Sequence, residues 1–125
     1  MDERSRIIAK IESLSNSKFR GSFHLNKNMI EYVNEKGMVK IQNDALEIIN
    51  KRLKPREPKN DGKQTPMKQV HPVFIAQHAC GFCCRNCLKR IHNIEKNKEL
   101  TAEEVKYIVK FIMIWIKKET NSKKC

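Results

Sequence analysis

The apolar positions fall into short runs with helical spacing, separated by polar breaks. In ERSRIIAKIESLSN, Ile7, Ile8, Ile11 and Leu14 share one face of a helix, because residues three and four apart stack on the same side. SKFRGSFHLN then reads as a turn or loop, with Gly21 between Phe19 and Phe23. Met29, Ile30 and Val33 predict a second helix over 26–36, and Gly37 suits the cap that ends it. Ile41, Ala45, Ile48 and Ile49 mark a third over 38–53, whose basic end complements the negative pole of the helix dipole. Pro72 sits where a first helical turn tolerates proline, ahead of Val73, Phe74 and Ile75. The last helix starts with Thr101 and Glu104 in capping-box spacing. Its stripe is Val105, Ile108, Val109, Ile112, Trp115 and Ile116. Phe111, Met113 and Ile114 fall off that stripe, so the helix is either enclosed on several sides or covers a homodimer contact.

No period-two strand pattern and no internal repeat occurs. The expected fold is therefore all-α: a single domain over residues 1–125 with about five helices. A long loop over 54–70 holds three prolines and an Asn-Asp-Gly turn signal, and is expected to be ordered. A Cys/His segment over 71–92 follows it, and residues 120–125 read as a disordered tail. The longest nearly apolar run, YIVKFIMIWI, is interrupted by Lys110 and falls short of the roughly 20 residues that span a bilayer. With no apolar segment at the N-terminus either, a cytoplasmic protein without membrane contact is expected.

Charge adds a partner to this picture. Twenty-six Lys and Arg against fourteen Asp and Glu give +12, a balance that favours a polyanion such as nucleic acid. The cations are scattered, so folding would have to assemble a face from them; Arg85, Lys89 and Arg90 are the candidates nearest the cysteines.

The chemistry is concentrated in HACGFCCRNCLKRIH, residues 78 to 92, which holds four of the five cysteines and two of the four histidines. Cys84 and Cys87 form a C-x-x-C pair, and with His78 and His92 make a Cys2His2 set of the kind that closes a structural zinc site. Cys83 competes, since it would share a helical face with Cys87; Cys80 could replace His78, and His71 is an outside candidate. An iron–sulfur cluster and a redox-active C-x-x-C are weaker readings, because the spacing matches no ferredoxin run and no strands surround the motif. Buried thiols without a ligand role are the remaining alternative. The deaminase pattern is missing, because Ala79 and Cys80 follow His78 and no proline precedes the pair, and His-Glu-x-x-His is absent. A hydrolase or nuclease would need an open metal beside the loop, with Asp61 and His71 as an acid/base pair; Asn60, Asp61 and Gly62 also suit a plain turn. A protein-interaction module is a third possibility.

NDGKQTPM, HPVFIAQHA, CCRNCL with His92, SKFRGSFHL and KRLKP together resemble the bacterial family of domain of unknown function 4186, over about residues 12 to 118. The resemblance implies that the loop and the cysteine segment form one signature, and it implies no activity. Cys80 stands where the family pattern carries threonine, and Ile91 where it carries tryptophan, which weakens Cys80 as a ligand.

Overall fold

The computed structural model describes residues 2–56, 65–66 and 68–122. Among the described residues six α-helices run in order: α1 (Glu3–Ser15), α2 (Lys27–Lys36), α3 (Met38–Arg52), α4 (Pro72–Cys80), α5 (Arg85–His92) and α6 (Ala102–Ser122). A 3-10 turn, Arg20–Ser22, lies between α1 and α2. No strand occurs among the described residues, so the all-α expectation holds. None of their helices is long and apolar enough to cross a membrane.

Local chemistry explains where the helices begin. Asp2 and Asn26 cap α1 and α2 by accepting the amides of Ser5 and Met29 at 2.8 and 2.9 Å. Thr101 and Glu104 form the reciprocal box before α6, at 2.9 and 3.0 Å. Gly37 separates α2 from α3.

The core is built around α6, which packs against α1, α2, α3 and α4. That enclosure accounts for the residues off its main stripe: Phe111, Met113 and Ile114 are buried by the chain's own helices. All nine residues of α4 are buried as well, which is why its sequence carries no polar stripe. The helix α6 continues through Ser122, and Thr120 is buried, so residues 120 to 122 belong to it rather than to a tail.

α5 stands apart from the bundle and is held by side chains. Leu88 is fully buried, and His92 stacks on Phe82 at 4.1 Å with Tyr107 and Phe111 edge-on beside it. At its other end Arg85, 1% exposed, donates to the carbonyls of Leu53, Lys54 and Pro55 and to those of Glu95 and Lys98. This guanidinium ties the end of α3 to the segment after α5. Arg85 is therefore a structural clamp, and its expected place on a nucleic-acid surface is corrected by its burial.

Candidate metal centre

The corner between α4 and α5 is made by Gly81, whose φ of +80° is a left-handed value that a side chain disfavours. Phe82 then enters the core, and Cys83 and Cys84 come to lie at the start of α5 beside Cys87 in its first turn. Cys84 is the N-cap, its Sγ accepting the Cys87 amide at 3.4 Å. The three sulfurs lie within 4.8 Å of one another, Cys83 at 3.5 Å and Cys84 at 3.3 Å from Cys87. Tetrahedral zinc with Zn–S bonds of about 2.3 Å would separate its sulfurs by about 3.8 Å, so the two contacts to Cys87 need to open by only a few tenths of an ångström to match it.

A cation already faces this set. Arg20, 6% exposed, donates from Nη1 to the His78 carbonyl at 2.6 Å and to Cys83 Sγ at 3.4 Å, and from Nη2 to Cys87 Sγ at 3.2 Å. Its turn packs so closely on α1 that a Cβ at Gly21 would meet the Ser15 carbonyl oxygen at 2.2 Å. Gly21 thus lets the turn approach and brings Arg20 under the sulfurs. Arg90 Nη2 lies farther out, 3.9 Å from Cys87 Sγ. Thr65 closes the other side by donating its hydroxyl to the Cys83 carbonyl at 2.9 Å.

The thiols respond to this surrounding. The hydrogen bond with Cys87, aided by Arg20, lowers the Cys83 pKa to about 6 against the opposing effect of burial. Cys87 is pushed up to about 12 by the same contact and by burial. Cys84 is raised by burial. Without a metal, the trio therefore carries its negative charge on Cys83 while Cys87 keeps its proton. Cys80 belongs to the core instead: it is 0% exposed, and burial drives its thiol well above the ordinary range.

Of the five expected ligands, the structure brings together Cys83, Cys84 and Cys87 and leaves out both histidines. His78 Nε2 donates to the Thr65 carbonyl at 3.0 Å while its ring stacks on Phe23. Its Nδ1 is buried and has no partner among the described residues. His92 Nε2 donates to the Cys80 carbonyl at 2.7 Å, and burial lowers its pKa to about 4. The closed Cys2His2 arrangement is thus replaced by three sulfurs, because packing and an Nε2 bond to a backbone carbonyl hold each imidazole outside the sulfur group.

His71 is also committed. Its Nδ1 accepts the Val73 amide at 3.1 Å as the N-cap of α4, and its Nε2 donates to Asp44 Oδ2 at 3.1 Å. Both ring nitrogens are occupied, so neither is placed to move a substrate proton. Asp61, its expected acid/base partner, lies outside the described residues. Lys89 remains exposed but is paired with Glu95 at 2.8 Å.

Arg20 is the residue that sequence reasoning missed. SKFRGSFHL carried it in view, but nothing in the spacing connects a turn near residue 20 with sulfurs more than sixty positions later. The fold and the site define an all-helical domain whose thiol cluster is compatible with a metal. The chain belongs to the family described as domain of unknown function (DUF4186), which it matches over residues 9–117. No solved structure matches the chain.

Proposed function

We propose that this protein binds one zinc ion through the thiolates of Cys83, Cys84 and Cys87, and that the ion organises the α4–α5 corner. The observation that carries this reading is the convergence of three sulfurs with a buried guanidinium donating to two of them. Three thiolates on a divalent ion leave a net negative charge, and Arg20 offsets it. An iron–sulfur cluster fits less well, since such clusters are usually held by four cysteines.

The fourth position is filled by none of the described residues. Hydrolysis is nevertheless the weaker use of this site. Three thiolates neutralise most of the Lewis acidity that would acidify a bound water, and the groups donating to the sulfurs are guanidinium and thiol rather than a base. Zinc bound here has a structural role.

Elemental analysis of the full chain tests the proposal, together with cobalt substitution, whose thiolate-to-metal absorption grows with the number of sulfurs. One metal per chain and a three-sulfur signal are expected, lost on replacing Cys84 or Cys87 by serine and kept in Cys80→Ser. Substoichiometric metal, or unchanged affinity in Cys84→Ser, would overturn it.

A second reading, thiol–disulfide exchange between Cys84 and Cys87, is favoured by their 3.3 Å separation. Mass spectrometry after mild oxidation of purified protein separates the two. A Cys84–Cys87 disulfide forming as readily with zinc present as without it supports exchange.

A further inference from the structure

We infer that the groove between α3 and α6 is a docking site for an acidic amphipathic helix of another protein. The groove has a volume of about 610 Å³ and lies on the outer side of α6, along a part of the molecule that the cysteine site does not use. Met38 and Leu46 of α3 and Val109, Met113 and Ile114 of α6 give it an apolar floor. Leu46 is 42% exposed, and Val39, seven positions earlier on the same face of α3, is 76% exposed. Methionines at such a surface let it adapt to different side chains.

The rim carries one sign of charge. Lys106, Lys110 and Lys117 follow one edge of α6 and Arg4 faces them from α1, while no carboxylate lines the groove. Lys110 is paired with Glu3, and Lys106 reaches Glu103 only at 3.8 Å across an exposed surface. Arg4 and Lys117 have no carboxylate partner among the described residues. Lys117 lies eleven positions after Lys106, a length of about 16 Å or three helical turns. A smaller cleft shares Arg4, Ile114 and Lys117 with the groove and continues it past Ile8 toward Lys118.

Charge and shape select the occupant. A helix with apolar anchors at i, i+3 or i+4 and i+7 fits a trough of this length, and glutamates on its flanks would meet the lysine row. A second copy of this chain is disfavoured, because each copy carries +12 and the same cationic rim. Single-stranded nucleic acid gains much of its affinity by stacking bases on aromatic rings, and none lines the groove.

The test titrates the full chain, by fluorescence anisotropy, into a labelled synthetic acidic amphipathic helix of about four turns, with its glutamate-to-lysine counterpart as control. The acidic helix binds and the basic one does not. Lys106→Glu combined with Lys117→Glu weakens binding about tenfold or more, and Leu46→Asp does the same. These positions are exposed, and circular dichroism verifies that each variant keeps its helices. Equal binding of both peptides, or an unchanged affinity in Leu46→Asp, overturns the inference. A single-stranded oligonucleotide or an anionic vesicle that binds the wild type more tightly than the peptide, and is sensitive to the lysine variant but not to Leu46→Asp, overturns it in favour of a plain polyanion surface.

Discussion

Arg20 brings a full positive charge to a place almost sealed from water, where an ion without partners is very costly. Its partners are a carbonyl and two sulfurs, so its position is stable to the extent that the sulfurs carry negative charge. Arg20→Gln is expected to lower zinc affinity about ten- to a hundredfold, as loss of an outer contact to metal ligands commonly does. Arg20→Lys recovers only part of this, because an ammonium cannot reproduce the planar three-way fork. Competition with a zinc chelator measures both. His92 gives a second prediction at this scale. Burial takes its pKa from the ordinary 6.5 down to about 4, so between these values the unfolded chain binds a proton that the folded chain does not. Stability therefore falls as pH drops through this window, by about 3 kcal/mol from this group. Urea midpoints at pH 7 and pH 4.5 should shift less in His92→Gln than in the wild type. Both histidines of the cysteine segment looked like ligands in the sequence. Spacing along the chain says nothing of which carbonyl or ring an imidazole will meet.

The six helices were mostly legible because each has its own cap or stripe. The Asn26 start, the Gly37 break, the Thr101–Glu104 box and the Pro72 start lie where local chemistry requires them. α5 was legible only conditionally, since it is short and its attachments are long-range. Arg85 resembled a surface cation for the same reason, its five carbonyl acceptors being 10 to 32 positions away. Arg85→Met should take a donor from five buried or half-buried carbonyls and cost about 3 kcal/mol or more in chemical denaturation. At the preceding corner, Gly81→Ala combines a disfavoured φ with a Cβ 2.7 Å from Ile91 Cδ1. A loss of about 1 to 2 kcal/mol is expected, and shortening the neighbour in Gly81→Ala/Ile91→Val should recover part of it.

Across the whole molecule, the candidate metal centre lies at the edge of the bundle rather than in its middle. Removing the metal should therefore loosen the corner without melting the domain. With free zinc at a thousand times its Kd, bound metal contributes about 4 kcal/mol to the state that holds it. After chelation, amide hydrogen exchange should quicken over residues 81 to 92, while α3, α4 and α6 keep their protection and most of the helical signal persists. Uniform acceleration across all helices would show instead that the ion supports the entire fold. The central position of α6 bears on how the protein is made. This helix is the shared partner of the four bundle helices that precede it, yet it leaves the ribosome after all of them. Until Ala102 and the residues after it emerge, α1 to α4 have only one another to pack against, and α4 alone touches the other three. The apolar faces that α6 covers stay open until then, and in that period chaperones have most to shield.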